Sequence, residues 1–290
     1  MRVAPVREAR AAGRGAVRAH DENFPVAFLL ASRDVRVDMA TLYAYCRATD
    51  DLGDEGPGDL AERLRALGRW EDGLHAALRG EPAPGPLGAV AGLIARRGLT
   101  PGPFERLIEA NRMDQARGRW DTREELIGYC RHSATPVGEM VLGVLGYRDA
   151  WRIGLSDEIC IGLQLVNFWQ DIARDLRDRD RIYLPREAME LFGVEEADLR
   201  RPVATPAVRA LVADEVARAR AHLVAGASLH RFVPARVRLD LRMFSAAGIA
   251  LCDAITAQDH DTLAARPAPG RTGRLRIAAA TLRRAARGDR

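Results

Sequence analysis

Apolar residues recur at steps of three and four along almost the whole chain, which is the spacing of one buried face of an α-helix. Glycine-rich and proline-rich stretches interrupt this pattern and separate one predicted helix from the next. No stretch alternates convincingly with the two-residue period of a β-strand. The pattern therefore predicts an all-α protein whose helices span residues 34–55, 60–80, 87–97, 103–120, 121–146, 156–178, 205–228 and 233–257.

Pro136 lies inside the predicted helix 121–146. Proline lacks a backbone N–H and its ring clashes with the preceding turn, so we expect the helix to kink or break there. A chain of 290 residues is long for one domain, but long helices can enclose a single core of that size. We predict an N-terminal segment over 1–19, one helical domain over 20–265 and a basic C-terminal segment over 266–290.

Charge and residue usage narrow the class of protein. All 44 basic residues are arginines, the net charge is +4, and acidic and basic residues are mostly interleaved. This distribution disfavours nucleic-acid binding, which usually needs a concentrated basic surface, so we expect no nucleic-acid partner. The four cysteines are far apart, as is typical of reduced thiols in a cytosol. No apolar run is long enough to span a bilayer, which predicts a cytoplasmic protein that is soluble or peripheral at a membrane.

Two pairs of aspartates have a spacing of four residues: Asp50 with Asp54, and Asp171 with Asp175. Four residues advance about 6 Å along a helix and return to nearly the same face, so each pair projects together. Like charges at this spacing destabilise a helix slightly. Magnesium would relieve the repulsion, because it is a hard cation that binds carboxylate and phosphate oxygens. Two facing pairs would hold several ions around one diphosphate and favour its departure.

The second pair continues into a longer polar stripe. Asn167 lies four residues before Asp171, and Gln164 lies a further turn away, so oxygen-bearing side chains follow one line among apolar neighbours. Burying carboxylates there is costly unless a positive group meets them. Two interpretations are open. The stripe is either a metal site or a row of acids on a solvated face, paired with the nearby Arg174, Arg177, Arg179 and Arg181.

The first pair extends in the same way towards the N-terminus. Tyr43 and Arg47 precede Asp50 at steps of four and three residues, which places all three on one helix face. Arg47 is positioned to bind a phosphate group with two hydrogen bonds. A salt bridge from Arg47 to Asp50 or Asp51 explains the same spacing equally well.

These motifs together resemble one family, the squalene and phytoene synthases, which are head-to-head prenyl transferases. The resemblance runs from about residue 20 to residue 257. Within the family, HDENFPVA (20–27) is similar to the bacterial hydroxysqualene synthases of hopanoid biosynthesis. The segments that carry the family resemblance are DDLGD (50–54), YCRHSATPVG (129–138), DIARD (171–175) and RDRIYLP (179–185).

The resemblance implies an isoprenoid-synthase-type helical bundle around a deep central cavity, with a role for each matching residue. Gln170 departs from the family pattern, since some relatives carry an arginine at this position. The implied catalytic residues are Tyr43, Tyr129 and Tyr183. The implied substrate contacts are His20, Phe24, Arg47, Gln164, Asn167 and Arg181. The implied magnesium ligands are Asp50, Asp54, Asn167, Asp171 and Asp175.

Three of the candidate residues have a second explanation. Tyr129 is also explained as a core phenol hydrogen-bonded to a carbonyl group, which is the commoner fate of a single tyrosine. Phe24 is also explained as a hydrophobic plug. Asp114 is either part of the site or an ion-pair partner of Arg112 or Arg117.

The resemblance to hydroxysqualene synthases implies a magnesium-dependent enzyme that converts presqualene diphosphate and water to hydroxysqualene and diphosphate. Diphosphate leaves, the cyclopropylcarbinyl cation rearranges, and water captures it. Coupling to a presqualene diphosphate synthase and a hydroxysqualene reductase is implied as well. The basic segment 266–290 either rests on an anionic membrane, where each arginine contributes ~1 kcal/mol, or is solvated.

Other functions remain open. A relative with the same fold would condense two prenyl diphosphates to presqualene diphosphate, dehydrosqualene or phytoene. A terpene cyclase would carry N-D-x-x-S-x-x-x-E as its second motif, which residues 167–175 do not match. A helical scaffold without enzymatic activity would leave all of these acids solvated.

Overall fold

The computed structural model of the chain describes residues 32–55 and 59–268, except for the side chains of Asp54, Glu55 and Arg236. In this part of the chain the only β-type pairing is an isolated parallel bridge between Arg119 and Ile182. The prediction of an all-α fold is therefore confirmed. The helices are α1 (Arg33–Asp50), α2 (Leu60–Leu78), α3 (Leu87–Arg97), α4 (Gly102–Ala116), α5 (Arg123–Ser133), α6 (Thr135–Val144), α7 (Ala150–Arg179), α8 (Arg186–Phe192), α9 (Glu196–Leu199), α10 (Pro206–Gly226) and α11 (Ala235–Ala257).

Two short non-α turns complete the helical chain. A π-helical turn, Asp51–Glu55, follows α1 and carries the first acidic motif. A 3₁₀ turn, Ala227–Phe232, links α10 to α11. The helix predicted over 34–55 therefore changes its winding at Asp51 instead of continuing as an α-helix.

The long helix predicted over 121–146 is two helices in the structure. It breaks at Ala134, and Pro136 lies in the first turn of α6, where a missing N–H leaves no hydrogen bond unmade. The helix predicted over 103–120 ends earlier, at Ala116, because Arg117 adopts an extended backbone with φ −145° and ψ 119°. Both differences follow from local backbone chemistry that apolar periodicity does not report.

α7 begins at Ala150, earlier than the predicted residue 156. The side chain of Asp149 caps the helix by accepting a hydrogen bond from the backbone N–H of Arg152 at 3.0 Å. The first turn exposes Trp151, so it shows no buried apolar stripe. The early start of α7 was therefore hidden from a prediction based on periodicity.

α7 and α10 pack closely along the centre of the molecule. A Cβ atom on Gly162 of α7 would lie 2.9 Å from the backbone oxygen of Ala219 in α10, so only glycine permits this approach. Trp169 is fully buried in the same interface, and its indole N–H donates to the backbone oxygen of Glu215 at 3.2 Å. This contact fixes the rotation of α7 and therefore the direction of its polar stripe.

Buried apolar side chains form two clusters on the two sides of α7. One cluster joins α5 and α7 to α11 with Ala110 of α4. The other joins α1 to α4, α6 and the 3₁₀ turn with Ile159 of α7 and the first turns of α11. Leu163 of α7 is partly buried and contacts both clusters. None of the helices in the described residues is both long enough and apolar enough to cross a membrane.

Candidate active site

The polar stripe of α7 faces the interior of the bundle. The side chains of Asp171 and Asp175 are only 7% and 10% exposed. Asn167 lies one turn earlier, and its Oδ1 is buried without a hydrogen-bond partner among the described residues. A buried oxygen in this state costs free energy until a ligand binds it. Gln164 is partly buried one further turn away, so the stripe is an inward-facing row of oxygen donors.

Arginines surround the carboxylate of Asp171. Arg174 donates from Nη2 to Oδ2 at 2.8 Å, within the same helix. Arg266 donates from Nε to Oδ1 at 2.6 Å and from Nη2 to Oδ2 at 3.2 Å. Arg266 also donates to Oε1 of Gln170 at 3.1 Å, and Gln170 donates back to the backbone oxygen of Pro267. The start of the predicted C-terminal segment is thus tied to the second acidic motif.

Asp175 carries less compensating charge than Asp171. Arg179 Nη1 lies 3.6 Å from its Oδ1, and Arg174 Nε lies 4.0 Å away. Burial, followed by the negative charge of Asp171, raises the pKa of Asp175 to about 6. A carboxyl group in this environment gains from any cation that binds both aspartates. The alternative pairing of arginines with acids holds for Arg174 and Arg179, whereas Arg177 pairs with the exposed Asp178.

The first acidic motif lies at the end of α1. Asp50 is exposed and accepts a hydrogen bond from Nδ2 of Asn111 at 3.4 Å. Arg47 forms an ion pair with Asp51 at 2.8 Å, one of the two pairings left open by the sequence. The backbone of Asp54 lies in the π-helical turn, and its side chain falls outside the described part, so its predicted role as a metal ligand stays a prediction.

α4 holds the first motif in place through two amides. Gln115 donates from Nε2 to the backbone oxygen of Gly53 at 2.9 Å, and Asn111 reaches Asp50 one turn earlier. Gly53 packs directly on Asn111, and a Cβ atom at that position would lie 2.0 Å from Oδ1 of Asn111. The glycine of the DDLGD motif is therefore required by close packing against α4.

The same face of α4 reaches the second motif. Asp114, three residues after Asn111, accepts hydrogen bonds from the phenols of Tyr129 at 2.8 Å and Tyr183 at 3.2 Å. Arg181 Nη1 lies 3.4 Å from Oδ2 of the same carboxylate. Because Arg181 also donates its backbone N–H to the backbone oxygen of Asp175 at 3.1 Å, this contact network ends at the second acidic motif.

Both local arginines suggested for Asp114 form ion pairs with other acids. Arg112 pairs with Glu71 and Glu109. Arg117 lies in a second group of acids, Asp121 and Glu125. The sequence therefore identified Asp114 as a candidate without identifying its partners, which lie on α5 and after α7.

Aromatic rings form a stack beside Asp114. The rings of Phe168 and Tyr183 are parallel, with centroids 3.8 Å apart, and Tyr129 lies 5.9 Å from Tyr183. Burial, with contributions from the neighbouring Tyr183 and Asp114, raises the pKa of Tyr129 well above its ordinary range. Burial and Asp114 act in the same direction on the pKa of Tyr183. Both phenols are therefore protonated at neutral pH, and Tyr129 bonds to a carboxylate, not to a carbonyl group.

The RDRIYLP segment is held by backbone hydrogen bonds. The N–H of Ile182 donates to the oxygen of Gly118 at 2.9 Å, and the N–H of Arg186 donates to the oxygen of Trp120 at 2.8 Å. A narrow crevice beside this segment is lined by the stripe and the stack: Phe168, Ile172, Asp175, Arg181, Ile182, Tyr183 and Leu184. These contacts bring the end of the second motif, Arg181 and Tyr183 into one site.

Some predicted residues stand apart from this network. Tyr43 is half-buried on α1, on the face that carries Arg47 and Asp50. His20 and Phe24 lie outside the described residues, so their predicted substrate contacts stay predictions. Among the described side chains, no group of three or more histidines, cysteines, aspartates or glutamates is arranged to hold a metal ion.

The donor chemistry of the stripe nevertheless fits a hard cation. Asp171, Asp175 and the unpartnered oxygen of Asn167 supply only oxygen ligands, which are the ligands magnesium prefers. The arginines on Asp171 balance the same charge when no metal is bound. A metal bound at this position would therefore share the oxygens of Asp171 with Arg266.

The motifs placed here match one family over most of the chain. The sequence pattern of the squalene/phytoene synthases matches residues 17–279. The chain belongs to this family. Its members are prenyl-transferase-type enzymes that act on prenyl diphosphates. The family resemblance and the isoprenoid-synthase type of fold, both expected from the sequence, are thereby confirmed.

Individual relatives come from two branches of the family. The chain is 36% identical over 191 residues to the hydroxysqualene synthase of Rhodopseudomonas palustris, which covers 65% of this chain and 63% of the relative. It is 33% identical over 210 residues to the chloroplastic phytoene synthase 3 of Zea mays, covering 70% of this chain and 49% of the relative. The chain thus spans between about half and about two thirds of the length of these relatives.

Solved structures share the architecture over nearly their full length. The squalene synthase HpnC of Alicyclobacillus acidocaldarius is 43% identical, with a TM-score of 0.80 over 88% of this chain and 97% of that chain. A dehydrosqualene synthase in complex with a ligand is 21% identical, with a TM-score of 0.84 over 96% of both chains. The second likeness shows the shared fold alone.

Proposed function

We propose that the chain is a hydroxysqualene synthase, which converts presqualene diphosphate and water to hydroxysqualene and diphosphate in squalene and hopanoid biosynthesis. The observation that carries the proposal is the 43% identity to a squalene synthase, HpnC, over 97% of that chain. Identities of 36%, 34% and 35% to three hydroxysqualene synthases support it. The segment HDENFPVA (20–27) supports the same branch.

In the proposed site, both acidic motifs supply magnesium ligands. Asp50 and Asp54 would hold magnesium from α1 and its π-helical turn, and Asn167, Asp171 and Asp175 would hold it from α7. When bound, the ions would neutralise the charge that develops on the departing diphosphate. This assignment makes the enzyme a magnesium-dependent carbon-oxygen lyase.

The side chains of the protein perform the remaining steps. Arg47 and Arg181 orient the diphosphate, so that its C–O bond breaks with both electrons leaving on oxygen. The stacked rings of Phe168, Tyr129 and Tyr183 present polarisable faces that stabilise the carbocation. Gln164, at the far end of the stripe, contacts the substrate. Water adds to the rearranged allylic cation and loses a proton, giving the alcohol.

The proposed reaction also places the protein among other components. A presqualene diphosphate synthase would supply its substrate, and a hydroxysqualene reductase would consume its product. The protein would be cytoplasmic, with the basic segment 266–290 making peripheral contact with an anionic membrane. Arginines near such a surface contribute ~1 kcal/mol each.

A second candidate function is the condensation of two prenyl diphosphates to presqualene diphosphate, dehydrosqualene or phytoene. Identities of 33% and 34% to phytoene synthases of plant and cyanobacterial origin favour it. This reaction would use the same acidic motifs on two substrate diphosphates. The two candidates differ in the substrate that they consume and in the product that they release.

The deciding experiment supplies the purified full-length chain and magnesium with one substrate at a time. With presqualene diphosphate alone, we expect mass spectrometry to detect hydroxysqualene, and chelation of magnesium to abolish it. Conversion of farnesyl or geranylgeranyl diphosphate without conversion of presqualene diphosphate would refute the proposal.

Matched variants test the role of the acidic motifs. We expect Asp50→Asn and Asp171→Asn each to lower turnover by about 1,000-fold, since each removes a charge that acts on the leaving group. Asp72→Asn, at an exposed position of α2, is the control and should retain wild-type turnover. Unchanged magnesium and diphosphate binding in both active-site variants would favour a helical scaffold without activity.

A further inference from the structure

Asp114 lies where three side chains from distant parts of the chain converge. Its carboxylate accepts from Tyr129 through Oδ2 and from Tyr183 through Oδ1, and Arg181 is 3.4 Å from Oδ2. The side chains of Asp114 and Arg181 are 12% and 10% exposed. Hydrogen bonds to a charged group are stronger than those between neutral groups, and burial increases the difference. The carboxylate therefore fixes both phenols and the guanidinium in one arrangement.

The direction of these hydrogen bonds determines what the phenols offer to a ligand. Each phenol has one proton, and both protons point at Asp114. What each phenol keeps for a further group is its oxygen lone pairs, and the two phenols also contact each other beside the carboxylate. An acceptor oxygen and a ring face both stabilise a cation, whereas a donated proton would not.

α4 connects this arrangement to both acidic motifs. Asn111 and Gln115 contact the first motif at Asp50 and Gly53, and Asp114 lies between them on the same helix. On the other side, Arg181 and Tyr183 line a crevice together with Asp175 of the second motif. A change in the position of the Asp114 side chain would therefore move the phenols and Arg181 relative to both acidic motifs.

We propose that Asp114 is a positioning residue of the reaction. It holds the oxygens of Tyr129 and Tyr183 as acceptors beside the carbocation, and it aligns Arg181 with the departing diphosphate. The inference rests on the proposed function only for the identity of the substrate. Asp114 itself neither takes up nor releases a proton in this role, and the bonds made and broken in the substrate are those already stated.

The alternative is that Asp114 only anchors the core. A core anchor would lower the amount of folded enzyme without changing what the folded enzyme makes. Loss of a positioning residue changes how long the cation survives and whether it rearranges before water captures it. The ratio of rearranged product to alcohols formed by early water capture changes accordingly. The product ratio does not depend on the folded fraction, so it separates the two roles.

The test uses the full-length chain with magnesium and the substrate that the wild-type protein converts. We expect Asp114→Asn to lower kcat by about 100-fold with KM within about threefold, the scale of a misplaced catalytic group. The share of early-capture alcohols should rise. Asp38→Asn is the control, because Asp38 is an even more buried carboxylate, is paired with Arg96 and Arg97, and lies outside the site. It should keep the wild-type product ratio.

A double-mutant cycle completes the test. Tyr129→Phe with Tyr183→Phe should reproduce the altered product ratio. Adding Asp114→Asn should then lower kcat by clearly less than the about 100-fold it costs alone, because only the contact with Arg181 remains to be lost. The proposal is wrong if Asp114→Asn keeps the wild-type product ratio, or if the losses in kcat multiply. If Asp114→Asn does not fold, the tyrosine pair decides: a wild-type kcat and product ratio in that variant overturns the proposal.

The two proposals fail separately. If the wild-type protein converts farnesyl diphosphate and not presqualene diphosphate, the proposed function is wrong, and the same variants are compared on farnesyl diphosphate. The product ratio on that substrate then judges Asp114 alone.

Discussion

Arg266 contacts Asp171 through two hydrogen bonds, one to each carboxylate oxygen, although the two residues are 95 positions apart in the chain. The guanidinium thus contacts both oxygens of a carboxylate that belongs to the proposed magnesium site. The same arginine reaches Oε1 of Gln170, so the start of the C-terminal segment brings a positive charge to two neighbouring residues of α7.

Removing this arginine should strengthen metal binding in the absence of substrate. We expect Arg266→Gln to bind Mn²⁺ about fivefold more tightly, which is the ~1 kcal/mol scale of a partly exposed ion pair. Titration followed by electron paramagnetic resonance of free Mn²⁺ measures this change. Arg177→Gln is the control, since Arg177 pairs with the exposed Asp178. Unchanged or weaker binding in Arg266→Gln would show that Arg266 does not compete with the metal.

Asp175 should make the stability of the metal-free protein depend on pH. Its pKa is about 6 in the folded protein, against an ordinary value of 3.8. The folded state therefore holds a proton that the unfolded state releases between these values, so stability falls as pH rises from about 4 to about 6 and stays lower above that. Asp175→Asn should raise the free energy of unfolding at pH 7 by up to about 3 kcal/mol.

Urea unfolding between pH 4 and 8 in the presence of a chelator checks this prediction. The gain from Asp175→Asn should fall below about 1 kcal/mol near pH 4, where the wild-type carboxyl is protonated in the folded state and about half protonated in the unfolded state. Asp178→Asn, at an exposed position whose pKa Arg177 lowers, should give no gain at pH 7. A pH-independent gain for Asp175→Asn would mean that ionisation is not the cause.

Gly53→Ala should disable the first acidic motif without unfolding the protein. The new Cβ atom would lie 2.0 Å from Oδ1 of Asn111, so either the π-helical turn or the Asn111 side chain that binds Asp50 must shift. We expect kcat/KM to fall by about 100-fold, the effect of displacing a catalytic group by about 1 Å. Gly68→Ala is the matched control, because nothing lies within 4 Å of a Cβ atom there. That variant should keep full activity and gain about 0.5–1 kcal/mol in stability.

Asn167 should be a residue at which stability and activity conflict. Asn167→Leu removes a buried oxygen that has no partner in the described structure, so we expect the metal-free protein to gain about 1 kcal/mol. Activity should fall by at least about 100-fold, as for other losses of electrostatic stabilisation at a reacting centre. Thermal melting and steady-state kinetics measure the two effects.

Asn111→Leu provides the contrast for this prediction. The amide of Asn111 donates to the backbone oxygen of Leu107 at 3.1 Å and to Asp50. Replacing Asn111 with leucine should destabilise the protein, because the backbone oxygen of Leu107 and the carboxylate of Asp50 both lose a hydrogen-bond donor. A loss of stability in Asn167→Leu as large as that in Asn111→Leu would show that the oxygen of Asn167 has a partner in solution.

Sequence patterns predicted those parts of the fold that depend on local chemistry. Helical periodicity identified nearly every long helix, and Pro136 identified the break between α5 and α6. The same patterns missed the first turns of α7, because Trp151 is exposed and gives no apolar stripe. They also continued α4 to residue 120, although the backbone is extended at Arg117 and the oxygens of Gly118 and Trp120 accept hydrogen bonds from the distant Ile182 and Arg186.

The candidate site shows the same limit. The spacing of Asp171 and Asp175 placed both on one face, as found. The partners of Asp114 could not be read from the chain, because Tyr183 lies 69 residues away and local arginines offered an equally good pairing. The contact of Arg266 with Asp171 has no local signal at all. Contacts between distant segments depend on packing, which spacing within one helix does not encode.

Two backbone hydrogen bonds between residues 118–120 and 182–186 hold the RDRIYLP segment beside α4. If the hydrogen bonds from Ile182 to Gly118 and from Arg186 to Trp120 open, Arg181 and Tyr183 are held near α4 only by their contacts with Asp114. The rate at which these two amide protons exchange with heavy water would thus measure how often the segment opens away from α4. The NMR signals of these two amides would then report, for any variant and without substrate, the fraction of molecules in which the site is assembled.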